Sequence, residues 1–236
     1  APGYTLEGLL GIGANSVAGS DIGEWELKTI ELKNYPMPNP SARVSLLTAE
    51  PDIGLYDSDF QAFMNKYATS RTSSRLNFTG PWTIPKGVSK NLKLIYNAAD
   101  KEIQLRSESS QELVAGWDLL GLVNHWKNKH QHAAFISYRK TEDARIQFSP
   151  FIGLGQGAGL GRFLNAVQSG LLIYDPGVKS ELHKNEWKAH KRNQWRTTLK
   201  DLPWIYKSFD FFDARTHHSC QDELSESWKR IFGALR

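Results

Sequence analysis

Two carboxylates and an ammonium stand close together near the start of the chain, at Asp21, Glu26 and Lys28. Carboxylate oxygens are the ligands a hard divalent cation such as Mg2+ takes, and such a cation polarises a phosphate and lowers the pKa of an attacking water. Over residues 24–29 polar and apolar side chains alternate, which is the signature of a half-buried strand. Trp25 and Leu27 share one face, Glu26 and Lys28 the other. Asp21 falls in the turn that enters this strand. Lys28, two residues beyond Glu26 on the same face, can orient a water or stabilise developing charge. Residues of these types at this spacing make a minimal site for phosphodiester hydrolysis.

The pattern itself is short. Glu-x-Lys returns at Glu31-Leu32-Lys33 and at Glu186-Trp187-Lys188, and a salt-bridged, solvent-facing strand would carry it equally well. Context favours the first copy, which follows a loop rich in Gly, Ser and Asn (residues 14–23) with an Asp directly before a well-alternating strand. The second copy lies where Ile30 and Leu32 break the alternation, so that the strand bends or ends there. The third lies inside a basic run.

The elements that must position these groups read as an interleaved α/β chain. Residues 5–10 form a short helix ended by Gly11. Further strands are expected at 44–48, 92–96, 103–105, 133–138, 146–148 and 171–174, and helices at 57–67, 116–126, 162–168 and, amphipathically, 221–236. Interleaving of this kind implies a mixed sheet. The glycine-rich stretch 153–161 lacks the spacing of a phosphate cradle and reads as a flexible connection.

Composition narrows the function classes. Apolar residues make up 40% and charged residues 23%, as in an ordinary globular protein, and no stretch is apolar enough for a bilayer span or a signal peptide, so no membrane partner is expected. Cys220 is the only cysteine, which rules out an internal disulfide framework and a thiolate zinc site and fits a reducing cytoplasm. The net charge of +4 is modest, but the cations are clustered. Lys179, Lys184, Lys188, Lys191, Arg192, Arg196 and Lys200 are interleaved with Trp187 and Trp195, which suits phosphate contact, and Arg and Asn can pair with guanine and adenine edges. The DNA-contact candidates in this run are Lys188, His190, Lys191, Arg192, Asn193 and Arg196; Lys66, Arg71 and Arg75 form a second patch. A solvated surface is the alternative for both. Lys127 and Lys129 approach a DNA backbone or are solvated helix-end charges, and His217-His218 beside Cys220 is a metal site or, more simply, a surface pair.

The segment Thr5-Leu-Glu-Gly-Leu-Leu-Gly, followed by Gly19-Ser-Asp-Ile-Gly-Glu-Trp-Glu-Leu-Lys-Thr29, resembles the active-site region of the MvaI/BcnI restriction endonucleases and, more distantly, that of the mismatch-repair nickase MutH. Val44-Ser-Leu-Leu-Thr-Ala-Glu-Pro51, Ala134-Phe-Ile-Ser137 and Ser169-Gly-Leu-Leu-Ile-Tyr-Asp175 are similar to later strands of that family. The resemblance implies that Asp21 and Glu26 are metal ligands, Lys28 the catalytic lysine and Glu7 a supporting acid, with Glu24 a bystander. It implies Mg2+ as cofactor with Mn2+ as a substitute, double-stranded DNA as partner, and sequence-specific cutting that leaves 5′-phosphates. His190-Lys-Arg-Asn-Gln-Trp-Arg196 departs from the family's His-Asp-Arg-Gly wording, so base preference does not transfer.

The expected fold is therefore a restriction-endonuclease-like (PD-(D/E)XK) α/β domain, with a central mixed sheet flanked by helices. Its catalytic lobe is expected mainly in 1–65 and 91–140, its recognition lobe mainly in 66–90 and 145–208, and a C-terminal extension in 209–236. Three other readings remain open from the residues alone. They are a MutH-like strand-nicking repair endonuclease, the cleavage domain of a larger protein with a further N-terminal domain, and a DNA-binding module with a degenerate nuclease fold.

Overall fold

A computed structural model describes residues 2–12, 21, 24–32, 39–184, 186–213 and 215. Helix α1 (Pro2–Leu9) ends at Gly11, whose φ of 73° is the left-handed conformation glycine adopts without cost. Strand β1 (Trp25–Glu31) is followed by β2 (Arg43–Thr48) and by helices α2 (Leu55–Ser58) and α3 (Phe60–Tyr67). Strands β3 (Thr69–Thr72), β4 (Arg75–Thr79), β5 (Val88–Ser89), β6 (Leu92–Asn97), β7 (Glu102–Ser107) and β8 (Leu113–Asp118) precede helix α4 (Leu119–His130). The second half comprises β9 (His132–Lys140), β10 (Ile146–Gln156), helix α5 (Leu160–Gln168), β11 (Ile173–Tyr174), β12 (Gly177–His183), β13 (Glu186–His190), β14 (Gln194–Thr198), helix α6 (Leu202–Ile205) and β15 (Ser208–Asp213). Among the described residues no helix is long and apolar enough to cross a membrane.

The chain divides into two compact units. One comprises Ala1–Val44, Trp126–Arg162 and Thr198–Arg236, the other Ser45–His125 and Phe163–Thr197. In the first, a mixed sheet runs β1-β9-β10-β15, with β1 parallel to β9 and the other pairs antiparallel. Leu6 and Leu10 pack with Trp25, Leu27, Ala134, Ile136, Ile152 and Leu154 on one face of that sheet. Each fully buried Leu or Ile there is worth roughly 1.5–3 kcal/mol. A slip of one residue would drive Glu26 and Lys28 into this apolar cluster, so the burial fixes the register of β1.

The second unit holds the sheets β13-β12-β4-β3 and β5-β6-β7-β8 and most of β11-β14-β2. Its core is a chain of aromatic rings. Tyr56 meets Phe63 at 5.0 Å, Phe63 meets Phe78 at 4.7 Å, and Phe78 stacks on Trp82 at 5.1 Å. Tyr174 and Trp195 continue the series around Trp117, at 4.7 and 5.1 Å.

Several expected elements differ in the structure. Residues 116–118 belong to β8 rather than to a helix, because Gly116 lies so close to Ile53 that a Cβ would come within 2.7 Å of its side chain. The helix expected at 57–67 is two helices, separated at Asp59, whose Oδ1 accepts from Ala62 N at 2.9 Å and caps α3. Residues 153–156 are strand, not a flexible connection: Gly155 leaves space for the Tyr206 ring, 2.7 Å from where a Cβ would stand. Strand β1 runs through Ile30 to Glu31, paired residue by residue with β9, and Ile30 is buried on the face that carries Glu26 and Lys28, so both faces are covered there. The units also divide the chain elsewhere than the expected lobes do, with 45–65 and 91–125 in the second and 145–162 and 198–208 in the first. The expected loop at 14–23, the terminal helix at 221–236 and the His217-His218 pair lie almost wholly or entirely outside the described residues.

Candidate active site

All four acidic and basic residues singled out near the N-terminus belong to the first unit. Glu7 comes from α1, Asp21 from the approach to β1, and Glu26 and Lys28 from β1 itself. The side of β1 opposite Trp25 and Leu27 would normally be apolar in a strand buried on both faces. Here it carries a carboxylate whose side chain is only 4% exposed.

Glu26 is not sealed in hydrocarbon. Its Oε1 accepts a hydrogen bond from Lys28 Nζ, and Lys129 Nζ stands 3.7 Å away. Two cations on one oxygen offset the cost of burying the charge. The other oxygen, Oε2, is buried and has no hydrogen-bond partner among the described residues. A buried carboxylate oxygen left without a donor is costly unless something positive completes it.

Asp21 lies beside it. Its Oδ2 accepts from the backbone N–H of Leu27 at 2.7 Å, which ties the loop residue to the strand. Burial pushes its carboxyl above the usual carboxylate range and the charge of Glu26 pushes the same way, while the Leu27 bond, Lys28 and Lys129 pull it back. The Glu7 carboxyl is also raised, by burial first and then by Asp21 and Glu26. Three carboxylates thus crowd one another electrostatically, with two ammonium groups as their counter-charge.

Lys129 is the residue that sequence reasoning left undecided. It sits in the last turn of α4, far from β1 in sequence, and its companion Lys127 makes no contact of this kind among the described interactions. The parallel pairing of β9 with β1, which sets Ala133 against Glu26, brings the end of α4 to the site. The other two Glu-x-Lys copies differ in burial. Glu31 is half exposed and pairs with Lys140 at 3.2 Å, and Glu186 is exposed on β13. Glu24, 82% exposed, lies 3.6 Å from His132.

The candidate DNA-contact residues all lie in the second unit. Arg71, Lys188, His190, Lys191 and Arg192 are exposed, and Lys191 Nζ lies 5.2 and 4.8 Å from the Tyr56 and Phe60 rings. Arg75 is exposed and pairs with Glu181, and Lys66 pairs with Glu112 at 2.8 Å. Two candidates are engaged internally. Arg196 Nη1 holds Asp175 at 2.9 Å. Asn193 is fully buried: its amide donates to Glu50 Oε2 at 2.9 Å and to Tyr56 Oη at 2.7 Å and accepts from Tyr174 Oη at 2.6 Å. An amide held by these three partners has no edge left to offer a base.

Comparison with known proteins identifies the fold and the family. The solved structure described as "Restriction endonuclease MvaI-cognate DNA substrate complex" superposes with a TM-score of 0.72 at 16% sequence identity, over 89% of this chain and 87% of that one. "Restriction endonuclease MvaI in the absence of DNA" superposes with a TM-score of 0.55 at 13% identity, over 73% of this chain and 74% of that one. At such identities the likeness establishes the α/β restriction-endonuclease fold. No curated protein sequence matches the chain. The family profile described as MvaI/BcnI restriction endonuclease matches residues 2–206, and by that match the chain belongs to the MvaI/BcnI restriction endonuclease family of PD-(D/E)XK nucleases.

Proposed function

We propose that the chain is a Mg2+-dependent, sequence-specific endonuclease of double-stranded DNA, with Asp21 and Glu26 as metal ligands, Lys28 as the catalytic lysine and Glu7 in support. The observation that carries this reading is the buried Glu26 carboxylate, one oxygen held by two lysines and the other without a donor, beside an Asp21 whose carboxyl resists ionisation. This donor set fits a hard divalent cation: the ligands are carboxylate oxygens, and Mg2+ needs only one or two of them, the rest coming from water and phosphate. Mn2+ would serve in its place. Such a cation, when bound, polarises the phosphate and eases deprotonation of the attacking water.

The chain's own residues do the positioning. Lys28, 19% exposed, can turn its ammonium from Glu26 towards a phosphate oxygen and stabilise the charge that builds there. Lys129 keeps a positive charge at Glu26 while Lys28 is so engaged. Glu7, whose carboxyl feels the charges of Asp21 and Glu26, would help to orient the attacking water. Attack of water on phosphorus breaks the bond to the 3′-oxygen and leaves a 5′-phosphate on one fragment and a 3′-hydroxyl on the other. The related MvaI structure is of a complex with cognate DNA, which supports a duplex as partner here as well. Arg71, Arg75, Lys188, His190, Lys191 and Arg192, with Lys66 at the margin, are the side chains available to it.

Incubation of supercoiled plasmid with the protein and Mg2+, followed by sequencing of fragment ends, tests the proposal. Linear product with 5′-phosphate ends at one short sequence is expected. Unchanged cleavage in Asp21→Ala or Lys28→Ala overturns the assignment, and a product that stops at the open circle indicates a strand-nicking enzyme.

A further inference from the structure

On the face of the β13-β12-β4 sheet that carries Arg75, strand register lays side chains out in two rows. Arg75, Glu181 and Lys188 stand opposite one another in the first, and Asn77, Lys179 and His190 in the second. The rows carry Arg75, Lys188 and Lys179 as fixed cations, and Glu181, at the middle of the first, is the one carboxylate in them. Its Oε1 meets Arg75 Nη1 at 3.2 Å, its two oxygens accept from Lys179 Nζ at 3.2 and 3.1 Å, and His190 Nε2 lies 3.5 Å from Oε2. Arg75 also donates through Nε to Asn77 Oδ1 at 3.0 Å. The cluster is open to solvent, with Arg75 45%, Lys179 32% and His190 57% exposed.

Like charges on neighbouring strands repel one another. Without Glu181, Arg75, Lys179 and Lys188 would splay apart. With it, Arg75 and Lys179 converge on one pair of oxygens, and Lys188 stands beside them in register. Carboxylate and phosphate present the same paired-acceptor geometry to such donors, so an arrangement that fits one fits the other. The Glu181 carboxyl is held below the usual carboxylate range, chiefly by the Lys179 hydrogen bond, so the acid is charged at neutral pH.

We propose that Glu181 is an internal counter-anion that stands in for a DNA phosphate, keeping Arg75, Lys179 and His190 converged until a backbone phosphate displaces it. This rests on the reading of the chain as a DNA endonuclease and assigns that reading a residue that sets discrimination. A phosphate must expel a carboxylate to bind, and nearby unexpelled acid repels it. DNA that brings no further contacts therefore binds weakly, whereas a cognate duplex, with contacts elsewhere, can drive the exchange.

The test is fluorescence anisotropy of a labelled random-sequence duplex in Ca2+, over a range of KCl concentrations. Glu181→Gln keeps the shape and an acceptor oxygen but removes the charge. Its affinity is expected to rise roughly tenfold, with a salt slope steeper by about 0.9, one additional neutralised phosphate. Arg75→Gln should cost more affinity in the Glu181→Gln background than in the wild type, because only there is the guanidinium free for phosphate. Equal or weaker binding by a folded Glu181→Gln protein, or an equal cost of Arg75→Gln in both backgrounds, overturns the proposal. Should Glu181→Gln not fold, Glu181→Thr, which also removes the charge and suits an exposed strand, carries the comparison: tighter binding with a steeper slope supports the counter-anion, and equal or weaker binding overturns it. A wild-type protein with no salt-dependent DNA binding at all would overturn the endonuclease reading beneath it, a result distinct from each of these.

Discussion

Replacing Lys129 with Met removes one of the two positive charges on Glu26 and little volume. At 3.7 Å and an effective dielectric of about 20, the Coulomb attraction between the two charges is about 4.5 kcal/mol. That is an upper bound, because the Lys129 side chain is 26% exposed and Lys28 remains on the same oxygen. Allowing for solvent screening and the remaining partner, the expected loss of stability is about 1–2 kcal/mol, which in a chain of this length is a fall in Tm of roughly 2–8 °C. The lost charge is one a divalent cation can replace. Ca2+ should therefore raise the Tm of Lys129→Met more than that of the wild type. Differential scanning calorimetry with and without Ca2+ measures both quantities. An unchanged Tm, together with an equal Ca2+ response, would show that Lys129 is a solvated helix-end charge and refute the electrostatic account of the site.

Other consequences can be checked separately. Asp21→Asn should reduce Mg2+-dependent cleavage by a factor of roughly a thousand or more, since a neutral amide is a poor ligand for a hard cation, while DNA binding measured in Ca2+-free buffer survives. The raised carboxyls of Glu7 and Asp21 favour protonation in the folded, metal-free protein, so their ionisation opposes folding as pH rises through their folded-state pKa values. A bound cation reverses that cost, and the Ca2+-induced rise in Tm should therefore grow as pH rises above the usual carboxylate range; a flat profile would contradict the crowding of the carboxylates. Asn193→Ala leaves Glu50, Tyr56 and Tyr174 short of a partner and should cost about 2–4 kcal/mol in denaturant unfolding, with no change of cleavage sequence in whatever protein remains folded. Gly155→Ala should destabilise the first unit by about 1–3 kcal/mol through its contact with Tyr206, read as a lower urea midpoint.

The alternation from Trp25 to Lys28 was legible because one face of β1 packs on Leu6 and Leu10 and the other carries charge. The same reasoning mistook Ile30 for a break in phase. Ile30 is buried on the face that also carries Glu26 and Lys28, so β1 is covered on both faces there and alternation ceases to be informative. Gly116 and Gly155 read as helix and loop because the rings and branched chains that need their missing Cβ come from Ile53 and Tyr206, remote in sequence. Lys129 could not be told from an ordinary C-terminal helix charge until the β1–β9 pairing was known. Asn193 sits among exposed cations, yet it immediately precedes β14, whose Gln194 and Trp195 are buried; the aromatic at 195 was the one sign that the basic run turns inward there.

Anomalous diffraction at the manganese edge, from crystals soaked in Mn2+, tests the central claim most directly. The expected result is a peak within coordination distance of a carboxylate oxygen of Asp21 and of Glu26, absent from crystals of Glu26→Gln. Full occupancy by Mn2+ elsewhere, with Glu26 still held only by its lysines, would contradict the assignment of this carboxylate as a metal ligand.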